Sequence, residues 1–196
     1  TGENTYNPKT KLVPKIEAVS CWDFYPDPDA VTIEDADYVI QRHNYTKSQV
    51  RDLSNRPYFR NDAIRECIAM GSNYQARGYE SSLLDRETTD EFDKNRYEIL
   101  EFWGYLDKEL AIQAGLDIDE DSLDDLDEIQ VNCWVCNGKI LRLVLNPFTP
   151  GRIPYLVSPY EINPYQFFGV GIPENMDDSQ TIMNGHARMA IDNLAL

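Results

Sequence analysis

The clearest pattern along the chain is a pair of apolar runs, Gln130 to Cys136 and Lys139 to Asn146, separated only by Asn137-Gly138. Asn-Gly accepts the two positive φ angles that a tight hairpin needs, so the runs predict two antiparallel strands. Ala36 to Tyr45 and Arg96 to Asp107 mix β-branched and aromatic residues with polar ones and predict two more strands. Lys15 to Ser20 predicts a short additional strand. Trp22 to Asp29, broken by Pro26 and Pro28, predicts a rigid turn-rich loop with buried aromatics.

Helical signals lie between these runs. Thr46-Lys47-Ser48-Gln49 has capping-box spacing, in which the Thr and Gln side chains each satisfy a free amide at the helix start. That helix stops near Asn55, ahead of Pro57. A second runs from about Asn61, with Ile64, Cys67 and Ile68 on one face and Gly71 as its C-cap. Residues 72–93 are polar and predict a loop or weak helix. Asp107 is placed to cap a short helix over Lys108 to Ala114, ended by Gly115.

From Pro147 to Pro173, prolines recur too densely for a helix or a central strand. Tyr155, Tyr160, Tyr165, Phe167 and Phe168 lie between them, so the segment predicts an extended connection anchored by aromatics. A final helix follows from about Glu174. Met183, Ala187, Ala190, Ile191 and Leu194 form its apolar stripe, and Gln180, Asn184, Arg188 and Asp192 form a polar stripe spaced every four residues. At 1.5 Å per residue it is roughly 35 Å long. It carries no stop signal at Leu196, and the expectation is that it continues in a longer parent protein. The fold class is therefore α+β: a mainly antiparallel sheet, short flanking helices and a longer C-terminal helix.

Composition narrows the function. The net charge is −16, with 34 Asp and Glu against 18 Lys and Arg. Such a surface does not neutralise phosphates, which excludes a simple DNA-gripping domain. No apolar run is long enough to span a bilayer. The four cysteines, Cys21, Cys67, Cys133 and Cys136, read as reduced thiols rather than a disulfide scaffold.

Candidate chemistry is sparse. Cys133 and Cys136 have zinc-ligand spacing, but on a strand residues three apart face opposite ways, and nothing completes the site. Asp117, Asp119, Asp121, Asp125 and Glu128 match the ligand positions of a calcium loop, yet Ser122 stands where the sharp turn needs Gly. A solvated acidic loop is the simpler reading. A stand-alone, calcium-dependent acidic module remains the alternative function. No nucleophile elbow, catalytic triad or phosphate loop is present, and His186 reads as a partly buried packing residue. These residues point to no enzyme and no cofactor.

Three segments resemble the portal (head-to-tail connector) proteins of short-tailed phages. The first is Asp23-Phe24-Tyr25-Pro26-Asp27-Pro28 with Ile33 to Ile40, and the second is Glu98 to Gly104. The third and strongest is Phe167-Phe168-Gly169-Val170-Gly171-Ile172-Pro173-Glu174, with Gln180, Asn184 and Arg188 following. The resemblance implies a flexible segment over 1–14, a wing-like α+β domain over 15–172, and the start of a stem-like helix over 173–196. It implies a virion component assembled in the host bacterial cytoplasm. Its partners would be identical subunits, twelve in the usual ring, together with the packaging motor, the capsid and the tail proteins. Double-stranded DNA would pass through the channel without sequence-specific binding, and no membrane is involved. Gln180, Asn184, Arg188 and Asp192 become candidates for subunit contact.

Overall fold

In the computed structural model, which describes residues 16–74, 95–116 and 128–194, φ is +50° at Asn137 and +70° at Gly138. These are the angles the hairpin demands. The turn joins β4 (Glu128–Cys136) to β5 (Lys139–Leu145), with Cys136 opposite Lys139. β1 (Phe24–Pro26), β2 (Tyr38–Thr46) and β3 (Arg96–Asp107) complete a five-stranded antiparallel sheet in the order β1-β2-β3-β4-β5. Among the described residues, every neighbour in the sheet is also the next strand in sequence. The architecture is α+β, as the residue pattern predicts.

Residues 16–20 form no strand, contrary to expectation. The free edge of β2 is taken instead by Phe24–Pro26, with Phe24 opposite Gln41. Pro26 is tolerated because an edge strand need not donate along its outer side. The loop beyond β1 is organised by Asp27, whose carboxylate accepts from the amides of Asp29 at 3.0 Å and Asp37 at 3.4 Å. Of the aromatics expected to be buried in Trp22–Asp29, Phe24 is buried but Trp22 is exposed.

The short helices end the chain's turns as their caps direct. α1 (Lys47–Asp52) starts with a complete Thr46/Gln49 capping box and runs into a 3-10 turn over Leu53–Asn55. α2 (Asn61–Met70) ends at Gly71, where φ is +91°. α3 (Lys108–Gln113) ends at Gly115 with φ of +84°, but the Asp107 side chain makes no capping bond. α4 (Ile172–Leu194) begins two residues before the expected Glu174. Pro173 fits its first turn, where the missing amide would have no partner anyway.

Strand alternation sorts the core into three clusters. On one face Tyr97, Ile99, Trp134 and Cys136 pack against Val50, Leu53, Ile64 and Cys67. On the other, Ile129, Val131 and Leu143 pack against Ala111 and Leu116. Leu141 and Leu143 lie two apart on β5 yet join different clusters. The register shift between Trp134 and Val135 allows this, because a bulge re-aims the side chains beside it. Trp103 shares the parity of Ile99, so the third cluster lies further along the face that α1 and α2 cover. There Phe24, Ala30, Ala36 and Val39 meet Trp103, Ile153, Tyr155 and Phe167.

Gly104 is required by its neighbours. A Cβ there would stand 2.5 Å from the Tyr38 Cβ and 2.8 Å from the Asp37 carbonyl oxygen. Tyr38 lies opposite Gly104 and stacks on Phe102, ring centres 6.0 Å apart, covering the gap the glycine leaves.

The weak-helix expectation for residues 72–93 falls mostly outside the described residues.

Candidate functional site

The C-terminal helix is the most conspicuous surface. The chain reaches it through Phe167 to Gly171, where local geometry is tightly set. Phe167 packs on Phe24, ring centres 5.8 Å apart, and on Phe168 at 5.4 Å. Gly169 passes so close to Glu161 that a Cβ would overlap that residue's carbonyl oxygen. The Val170 amide donates to the same oxygen at 3.0 Å. Beyond Gly171 the Asn175 amide donates to the Gly171 oxygen at 3.1 Å, and the Asn175 side chain donates to Glu161 Oε2 at 2.6 Å. Glu161 thus fixes both the approach to α4 and its first turn.

No residue of α4 is buried. Met183 is 69 % exposed and Leu194 86 %. At about 100° per residue, Ile172, Met176, Met183, Ala187, Ala190 and Leu194 stay within a band of roughly 60°. This is a straight apolar seam. Gln180, Asn184, Arg188 and Asp192 step by four, and each step drifts by about 40°, so they wind around the flank instead of forming a line. All four are exposed, and among the described residues none of their side chains makes a hydrogen bond or ion pair. His186 is also exposed, so the expected partial burial does not hold. The helix does not lie against the sheet, and among the described residues no neighbour covers it.

A second feature lies on the sheet face that α1 and α2 share. A groove of about 800 Å³ opens between the sheet and the proline-rich segment, lined among others by His43, Tyr45, Glu101, Trp134, Tyr155 and Phe168. His43 Nε2 lies 2.8 Å from Glu101 Oε2. Glu101 Oε1 accepts from Trp103 Nε1 at 2.8 Å and from Asn132 Nδ2 at 3.0 Å. The His43 ring stacks on Trp134 at 4.9 Å. Tyr155 donates to Gln41 Oε1 at 2.6 Å, and burial, reinforced by the Glu101 charge, holds its phenol proton well above the usual range. Both carboxylate oxygens of Glu101 are occupied by neighbours from three strands, which makes this a bracing knot across β2, β3 and β4. On the opposite face Arg42 is buried and bonds Asp23 at 2.7 Å, tying the 3-10 turn at Cys21–Asp23 to β2.

Of the aromatics between Pro147 and Pro173, Tyr155 and Phe167 anchor the segment to Phe24. Tyr160 and Tyr165 are exposed. The expectation of an extended, non-helical connection holds, but only part of it is anchored.

Cys133 and Cys136 go to opposite sides. Cys136 is buried in the cluster with Cys67, and Cys133 packs against the cluster on the other face. Burial pushes the Cys133 thiol up to about 11. Among the described residues no three His, Cys, Asp or Glu side chains converge as metal ligands. The calcium-loop pattern at Asp117, Asp119, Asp121 and Asp125 lies outside the described residues. Sequence reasoning missed the His43–Glu101 pair, because no local signal tells which residues on β2 and β3 face each other.

Residues 3–196 match the family model described as Phage SU10 portal protein. No curated protein matches the chain. Among the described residues no helix is long and apolar enough to cross a membrane.

Proposed function

The chain belongs to the phage SU10 portal protein family, and from that membership we propose that it is a non-enzymatic subunit of a ring at one vertex of the capsid. The ring forms the channel for DNA packaging and ejection and the attachment point for the tail. The sheet and its short helices form the wing-like body over 15–172, and the segment over 173–196 begins a stem-like helix. Identical subunits, twelve in the usual ring, pack side by side, and the packaging motor, capsid and tail proteins bind the assembled ring. The protein assembles in the host cytoplasm and ends as a virion component.

One observation carries this reading beyond the family match: the uncovered apolar seam of α4. A helix within a protein gains most of its stability from packing an apolar face. A seam of methionines, alanines and a leucine standing clear of its own domain gains that packing from neighbouring copies. Two distinct surfaces meeting head to tail close into a ring when the rotation between copies allows it. The net charge of −16 suits a conduit along which DNA slides without adhering.

Negative-stain electron microscopy of the full-length protein tests the proposal. Rings with a central hole are expected. Uniform small monomers at high concentration would overturn it and return attention to the acidic stretch from Asp117 to Glu128.

A further inference from the structure

Cys67 lies on α2 and Cys136 is the last residue of β4, 69 residues apart in sequence. Their sulfurs stand 2.7 Å apart in the buried core, and both thiols are free. A disulfide bond is about 2.05 Å long, so the two sulfurs are roughly 0.7 Å from bonding distance. The backbone around them is already fixed. Asn137 follows Cys136 directly, and its side chain donates to the Cys67 carbonyl oxygen at 3.2 Å and to the Gly71 oxygen at 2.9 Å. The helix end and the hairpin turn therefore cannot drift apart without breaking those bonds. Ordinary buried cysteines fill space as small apolar groups. Two of them held in sulfur contact from separate elements form a poised pair.

We propose that Cys67 and Cys136 are a disulfide-forming site, in which a peroxide reversibly closes a bond that clamps α2 to the β4–β5 hairpin. The sulfur contact favours the thiolate at Cys67 and holds the remaining proton on Cys136. Cys67 sulfur attacks a peroxide oxygen and the O–O bond breaks. Cys67 becomes a sulfenic acid, and the departing hydroxide takes back from solvent the proton that Cys67 released on ionising and leaves as water. Cys136 sulfur then attacks the sulfenic sulfur. The S–S bond forms, hydroxide leaves, and it carries off the Cys136 proton as a second water. Two electrons pass from the sulfurs to the peroxide, and a dithiol returns them. Cys21 is exposed and Cys133 faces the opposite cluster, so neither competes for this pairing. The chemistry stands apart from the portal reading. Only its timing, oxidation once the particle has left the reducing host interior, rests on that reading.

The test uses the intact protein, exposed to hydrogen peroxide under native conditions. Free thiols are then alkylated, and the protein is digested without reductant for mass spectrometry. A peptide pair joining Cys67 to Cys136, lighter than the reduced pair by two hydrogens and separated by dithiothreitol, is expected. Cys21 and Cys133 should carry the alkyl label. Closing a loop of 69 residues should raise Tm by on the order of 10 °C. The rise should persist in Cys133→Ala and vanish in Cys67→Ala. Folded protein that yields no joined pair, or yields sulfinic acid at either position, would overturn the proposal. The mapping on the unaltered protein decides even if Cys67→Ala fails to fold. Ring formation is scored separately, so a joined pair in a protein that makes no rings sinks only the portal reading.

Discussion

The side-chain amide of Asn137 donates to the main-chain oxygen of Gly71 at 2.9 Å. A helix leaves its last carbonyls without intrahelical partners, and a hairpin turn leaves its side chains pointing outward. Here one closes the other. Asn137 is both the positive-φ residue that the turn requires and the donor that caps α2 through the Cys67 and Gly71 oxygens.

That double role separates two substitutions. Asn137→Gly keeps the turn angle and loses the capping bonds, and should destabilise by about 1 kcal/mol. Asn137→Ala also strains the backbone at positive φ, and should cost about 2–3 kcal/mol. Urea midpoints of both variants check the order. Equal losses would mean that the capping bonds contribute everything and the turn angle nothing.

Gly104→Ala drives a methyl into Tyr38 and the Asp37 carbonyl. Overpacking of this kind costs about 2 kcal/mol, and backbone oxygen cannot move aside as a flexible side chain can. Thermal unfolding should register a lower Tm. A Tm unchanged from the parent would show that β2 shifts freely against β3 at Tyr38.

Met183 lies on the apolar seam of α4, and Arg188 lies on the winding polar flank. Met183→Asp should leave the stability of the sheet domain within about 0.5 kcal/mol, because the site is exposed in the single chain. It should abolish ring assembly. Arg188→Ala should weaken assembly less, and its effect should fade as salt screens the charge. Sedimentation of each variant beside the parent separates the two faces. Rings formed equally well by Met183→Asp would place the subunit contact elsewhere.

Cys133 titrates near 11 in the folded protein, against an ordinary value of 9.0. Its folded value is raised, so the neutral thiol is the form the fold prefers. Above the ordinary value the unfolded chain releases this proton and the folded chain does not. The unfolded state then binds fewer protons, and stability falls as pH rises. The loss should begin near pH 9 and level off near 11, with Tyr155 and Tyr97, whose phenols burial also raises, adding to it from about 10 upward. Urea midpoints across this range, with reductant present, should fall more gently in Cys133→Ala. Identical slopes in the two proteins would assign the loss to the other raised groups, the tyrosines and Cys136.

Much of the secondary structure was legible because its signals are local. The Asn137-Gly138 turn, the Thr46/Gln49 capping box and the glycines at 71 and 115 each act within a few residues of the backbone they shape. β3 emerged with the bounds the pattern predicts, Arg96–Asp107. The edge strand did not: β-propensity at residues 16–20 says nothing about which segment reaches the β2 edge first, and Phe24 won through its packing on Tyr155 and Phe167. The candidate polar residues of α4 were visible from spacing alone. Their winding course follows from 3.6 residues per turn, which steps of four do not match.

The sequence by itself determined the α+β class, the hairpin, the Thr46/Gln49 capping box, the glycine stops at 71 and 115, the amphipathic C-terminal helix and the resemblance to portal proteins, but not the Asp107 cap, whose side chain makes no capping bond. All of these rest on short-range periodicity, turn chemistry or contiguous motifs. Only the tertiary structure decided that Glu101 joins His43, Trp103 and Asn132, that Tyr155 anchors while Tyr160 does not, and that Cys136 meets Cys67. Those pairings depend on strand register and on a bulge beside Trp134, and both are set by how the whole core packs.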